Sequence, residues 1–262
     1  MDARGRKVGL ALGAGSARGL AHIGILQVLN ENKIPYDFIV GSSMGAMVGA
    51  IYASGADLYM AGKMLDIFDY KVLWDVGIPR MGFISGNKIE KFIRLLTKNR
   101  TFDQLDIPLA VVTTNILTGE KVVINEGLVA DAVRASVSIP GVFRPVRHND
   151  LLLVDGAVAE RLPVQTARDM GAEIVLGVDV TFAAGKTVKL RNTLDVFLQA
   201  IDVLEHQIFE NISRHQADLL IQASVGHIGS SEFDKAAECI ELGRKCAEDA
   251  LGDIKALLGM EV

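Results

Sequence analysis

At 262 residues, half of them hydrophobic, the chain is long enough to close a substantial core without metals or disulfides. Its formal net charge of -5 argues against nucleic acid as the main partner and against attraction of the whole surface to anionic lipid. No run of about 18 apolar residues occurs, so no membrane-spanning helix is expected.

In chain order, basic residues precede the apolar run VGLAL (8–12), but glycines interrupt it too early for an export signal, and a strand is expected. The loop GAGSARG (13–19) follows, leading into a helix predicted over 17–31. FIV (38–40) reads as a second strand, ending at GSSMG and a helix over 44–54. The stretch LWDVGIPRMGFISGN, rich in glycine and apolar groups, reads as a loop or cap.

The next helix, predicted over 88–98, carries Ile89, Phe92, Ile93 and Leu96 on one stripe beside Lys88, Lys91, Arg94 and Lys98. It reads either as a surface helix packed on the core or as a helix whose cations meet lipid phosphates. LAVVTT (109–114), KVVI (121–124), LLLV (151–154), EIVLGVDV (173–180) and DLLIQ (218–222) complete the strands, with further helices over 128–136, 192–214 and 235–257. This alternation is that of an α/β domain with a largely buried sheet. In the helix over 192–214, Leu194, Phe197, Leu198, Ile201, Leu204, Ile208 and Ile212 form a stripe expected to pack into the core. Cys239 and Cys246 lie seven apart on the last helix, where they cannot bond each other; they read as buried thiols in a reducing, cytoplasmic setting. Without internal repeats or low-complexity linkers, residues 1–262 read as a single domain.

Ser43 is the centre of G-x-S-x-G between a strand and a helix, the context of a nucleophile elbow: a strained turn lifts the hydroxyl, and Gly41 and Gly45 keep side chains out of its way. Ser42 has no such flanks. A small-residue turn for tight strand-helix packing is the plainer reading of the same motif. The N–H groups of GAGSARG, at a helix start, suit a phosphate or an oxyanion. A dinucleotide fingerprint would need glycine where Arg18 stands and an acid at the end of the next strand, whereas Asp37 precedes that strand.

A serine needs a base. Asp155, between the apolar run 151–154 and Gly156, sits at a strand's carboxyl end, where sites in open α/β sheets form. Asp179 competes on the same ground, although its β-branched neighbours favour a strand running past it. His22 falls inside the first helix, His148 in a turn, and His206 and His215 in the long helix. Only His227, in VGHIG, could also reach the carboxyl edge, so a Ser43/Asp155/His227 triad of the α/β-hydrolase order stays open.

Four motifs in order, GAGSARG, GSSMG, ASVSIPGVFRPV (135–146) and DGAVAERLPV (155–164), resemble those of the patatin-like phospholipase family. The resemblance implies a three-layer α/β/α domain with a mostly parallel central sheet, and a serine/aspartate dyad that dispenses with histidine. It implies Ser43 as nucleophile, Asp155 as base, and Gly13, Ala14, Gly15 and Ser16 as the oxyanion loop, supported by Arg18. Neither metal nor cofactor is implied. The expected substrate is a lipid acyl ester, with peripheral contact at the inner membrane surface; a lipid sensor on the same fold is the non-catalytic alternative. Ala14 stands where the family often has glycine, and Ala157 replaces the second glycine of the usual Asp-Gly-Gly.

Overall fold

The computed structural model describes residues 2, 5–67, 69–73, 75, 81–180, 189–190, 193–211 and 216–261. Five strands run parallel: β1 (Val8–Leu12), β2 (Phe38–Ser42), β4 (Leu109–Asn115), β9 (Ile174–Asp179) and β10 (Leu219–Gln222). With the antiparallel β5 (Lys121–Ile124), β7 (Val146–His148) and β8 (Leu151–Asp155), they form one eight-stranded sheet in the order β10-β9-β1-β2-β4-β8-β7, with β5 also paired to β4. A second, two-stranded parallel sheet joins β3 (Gly82–Ile84) to β6 (Gly141–Phe143).

Helices cover both faces of the large sheet. Val8, Leu10, Leu12 and Ile39 point to one face and share a core with α1 (Ala21–Glu31), α2 (Met44–Ala53), α5 (Val129–Ser136) and α9 (Ala236–Leu258). Ala11, Phe38, Val40 and Ala110, alternating with the first set, point to the other face and pack against α7 (Val164–Asp169) and Phe209 of α8 (Thr193–Asn211). Strand periodicity thus divides one apolar run between two cores, which gives the expected three layers around a mostly parallel sheet.

The predicted strands all form, as do the six predicted helices, with small changes at their ends. Residues Ser16–Leu20 make a 3-10 turn before α1, and Phe233–Lys235 another before α9. Three helices lacked a legible signal: α3 (Leu58–Ile67), α6 (Ala157–Glu160) and α7. The supposed cap at 73–87 contributes β3, while residues 74 and 76–80 lie outside the described residues. The stripe on α8 holds only in part: Leu198 packs against the core and Ile201 lines the space beside Asp155, but Phe197, Leu204 and Ile208 are exposed, because the inward face of the helix also carries Asp202 and Glu205. Ile212 lies outside the described residues.

Candidate active site

Strand β2 ends at the elbow. Ser43 has φ 51° and ψ -121°, a left-handed conformation that is costly for a residue with a side chain, and α2 begins at the next residue. Close packing explains the flanking glycines: a Cβ on Gly41 would lie 2.4 Å from Ala46 Cα, and one on Gly45 would lie 2.2 Å from the Leu12 carbonyl oxygen. The turn is further pinned by Ser136 of α5, whose Oγ accepts the Ser43 N–H at 2.9 Å and donates to the Val112 carbonyl at 2.6 Å. Ser42 points elsewhere, and its buried hydroxyl has no partner among the described residues.

Strand β8 brings Asp155 to Ser43. Ser43 Oγ donates to Asp155 Oδ2 at 2.6 Å, while Asp155 Oδ1 accepts the Ala157 N–H at 2.9 Å. Gly156, between them, donates its N–H to the Ser136 carbonyl at 3.3 Å. Burial pushes the Asp155 carboxyl up to about 6, against the opposing pull of the Ser43 hydroxyl and the Ala157 N–H. Asp179, at the end of β9, accepts from Gln222 at 3.1 Å and lies 3.8 Å from Arg161, so its charge serves another cluster. No histidine intervenes between Ser43 and Asp155: exposed His227 sits with Nε2 2.7 Å from Glu238 Oε1.

The loop after β1 comes alongside. The N–H groups of Gly13 and Ala14 are already committed, to the carbonyls of Val178 at 3.0 Å and Arg161 at 2.9 Å. Those of Gly15 and Ser16 have no acceptor among the described residues, and both residues border the space beside Ser43. Buried His22 fixes the loop from below. Burial holds its imidazole down to about 4, so it is neutral, and Nε2 donates to the Gly13 carbonyl at 2.7 Å. Arg18, fully buried, donates to the Ile228 carbonyl at 3.2 Å and to Ser230 Oγ at 3.1 Å, and it pairs with Asp202 of α8 at 2.7 Å. Arg161 donates to the Ala14 carbonyl at 3.2 Å and pairs with Glu205 of α8, also at 3.2 Å.

Beside Ser43 opens an apolar cavity of about 120 Å³, whose lining includes Leu20, Met47, Ile51, Phe92, Val142 and Phe143. Its lining is almost wholly apolar. The helix predicted over 88–98, α4 (Asn87–Leu96), supplies part of this wall. Ile89 and Ile93 are buried, and Arg94 is held by Glu90 at 3.0 Å and Asp131 at 2.7 Å, so its apolar stripe faces inward. Sequence reasoning missed Ser136, Arg161, Asp202 and Glu205. The first two lay within motifs already singled out, whereas nothing local marks the acids of α8. Among the described residues no group of acidic, histidine or cysteine side chains is placed to hold a metal ion, and no helix is long and apolar enough to cross a membrane.

A model of the family described as patatin-like phospholipase matches residues 10–168. An uncharacterised NTE family protein of Mycobacterium tuberculosis is 36% identical over 176 residues, spanning 66% of this chain and 49% of its own length. A second from that organism is 30% identical over 272 residues, spanning 94% of this chain and 47% of its own. Lysophospholipase NTE1 of Cryptococcus neoformans is 35% identical over 184 residues, or 67% of this chain and 11% of that protein. The chain therefore spans about half, or far less, of the curated relatives it matches. Among solved structures, VipD from Legionella pneumophila superposes with a TM-score of 0.58 at 15% identity, covering 96% of this chain and 68% of that one. The type III effector ExoU superposes with a TM-score of 0.54, also at 15% identity, covering 95% and 53%.

Proposed function

Because the chain belongs to the patatin-like phospholipase family, we propose that it is a serine hydrolase of lipid acyl esters working through a Ser43/Asp155 dyad. The observation that carries this is the direct 2.6 Å hydrogen bond from Ser43 Oγ, which lines an apolar cavity, to the buried carboxylate of Asp155. Ser43 Oγ attacks the ester carbonyl as its proton passes to Asp155 Oδ2. The oxyanion is held by the N–H groups of Gly15 and Ser16, while Gly13 and Ala14 shape the loop. Asp155 then gives its proton to the leaving alcohol, and a water activated by the same carboxylate releases the fatty acid from Ser43.

An aspartate raised to about 6 is a stronger base than an ordinary one, yet it stays ionised at neutral pH. A poised nucleophile of this kind favours turnover over lipid sensing. Residues 1–262 act as one patatin-like domain in this reading. A cytoplasmic site with peripheral contact at the inner membrane surface is part of it, supported by Cys239 and Cys246 standing as free thiols.

The test is a panel of lysophospholipids, diacyl phospholipids, acylglycerols and short aryl esters, run beside labelling by a fluorophosphonate probe. Ser43→Ala should abolish both labelling and turnover, Ser42→Ala should keep them, and His227→Ala should keep most turnover. A folded His227→Ala protein that lost about a thousandfold in rate would replace the dyad by a triad.

A further inference from the structure

Ser43 lines two adjoining cavities, which also share Ser16, Ile139, Leu198 and Ser230. The second is a space of about 30 Å³, bordered by α8 and by the Gly15–Ser16 turn. Three carboxylates, Asp155, Asp202 and Glu205, stand in a lining that is otherwise mostly apolar. The cations that pair with these acids, Arg18 and Arg161, are buried behind them and line neither cavity. Asp202 Oδ2 is held by Arg18 and by the Ser230 hydroxyl, and Glu205 Oε2 is held by Arg161. Among the described residues, Asp202 Oδ1 and Glu205 Oε1 have no protein partner, so the cavity offers hydrogen-bond acceptors beside the dyad.

An ester held with its acyl chain in the apolar cavity and its carbonyl at Ser43 has this adjoining space open to its leaving alcohol. We propose that Asp202 and Glu205 select that alcohol: the preferred substrate is a single-chain lipid ester whose alcohol carries free hydroxyl donors and no negative charge, as in a monoacylglycerol. This rests on the hydrolase reading above. The space is open, and its carboxylates suit a hydroxyl-bearing group better than a second acyl chain. Hydroxyl donors satisfy the acceptors that would otherwise be desolvated without partners, whereas a phosphate next to the ester meets these carboxylates.

Burial pushes Glu205 up to about 7, the attraction of Arg161 opposing it and the charges of Asp155 and Asp202 adding to it, with Arg18 again opposing. The comparison therefore belongs at pH 8, where Glu205 is charged. The experiment measures kcat/KM for 1-oleoylglycerol and for 1-oleoyl lysophosphatidate, each below its aggregation threshold, in the wild type and in Glu205→Gln and Asp202→Asn. The ratio of the two within one preparation does not depend on how much of the enzyme is active.

The wild type should favour the glycerol ester by about tenfold or more, and at least one variant should cut that ratio by about threefold or more. Wild-type preference for lysophosphatidate, equal use of the two, or a ratio untouched in both folded variants would overturn the proposal while leaving the hydrolase standing. A wild type that turns over no ester at all, including short aryl esters, would remove the functional reading and this proposal with it.

Discussion

Helices α4 and α8 both border the cavities beside Ser43, and they present different faces to them. α4 obeys the usual amphipathic rule: Ile89 and Ile93 are buried, Phe92 lines the apolar cavity, and Arg94 lies outward in ion pairs with Glu90 and Asp131. α8 is mixed. Asp202 and Glu205 turn inward beside Leu198, Ile201 and Phe209, while Val196, Val203, Leu204 and Ile208 are 53%, 42%, 65% and 52% exposed. What separates them lies outside both helices. Arg18 and Arg161 are buried, Arg18 against the Ile228 carbonyl and Arg161 against the Ala14 carbonyl, and a buried guanidinium without an anion is costly enough to turn Asp202 and Glu205 of α8 toward them.

Breaking that arrangement should produce the largest effect. Arg161→Ala strands Glu205 without its cation and frees the Ala14 carbonyl. It should lower unfolding free energy in denaturant titrations by about 3–5 kcal/mol, and the double variant Arg161→Met/Glu205→Met should recover much of the loss. Full additivity of the two single changes would show that the pair does not orient α8. Next in size is a matched pair of truncations. Ile93→Ala, at a fully buried site on α4, should cost about 2–4 kcal/mol, whereas Leu204→Ala on α8 should fall within about 0.5 kcal/mol of the wild type. Equal costs would mean that the outer face of α8 is packed after all.

Much of the fold was legible because its strands are short and apolar and its elbow and base obey tight spacing rules. VGLAL, LAVVTT and IVLGV are buried from end to end, as parallel strands covered on both faces must be. Ser43 could be singled out as the centre of G-x-S-x-G just past one apolar run, and Asp155 as the last residue of another, before Gly156. The facing of α8 could not be read from its own residues, since the partners of Asp202 and Glu205 come from the Ser16–Leu20 turn and from the loop after β8. α3 was hidden by exposed Tyr59 and Met60, which blur the stripe of buried Leu58, Ala61 and Leu65. α7, with six residues, is too short for periodicity to show. The choice among Gly13, Ala14, Gly15 and Ser16 as donors needed the hydrogen bonds that commit the first two.

The smallest effect concerns the proposed Ser43/Asp155 dyad, and it separates activity from stability by sign. Asp155 titrates near its ordinary carboxylate value when unfolded and at about 6 when folded, because burial disfavours its charge. Between those values the native protein holds a proton that the unfolded chain has lost, so this group's contribution to stability falls as pH rises and stays at its lowest above about 6. Turnover runs the other way, since only the ionised carboxylate can take the proton of Ser43. Asp155→Asn keeps an acceptor for the Ala157 N–H and removes the buried charge. It should therefore abolish most turnover while raising stability at pH 8 by about 2–3 kcal/mol, seen as a melting temperature several degrees higher. The gain should shrink as pH falls through about 6 and vanish only below about 4, where the carboxyl is protonated in the folded and the unfolded chain alike. A variant no more stable than the wild type at pH 8, in melts run across that range, would mean that the carboxylate is better solvated than its burial implies. The packing around Asp155 would then be looser than the distances around Ser43 require.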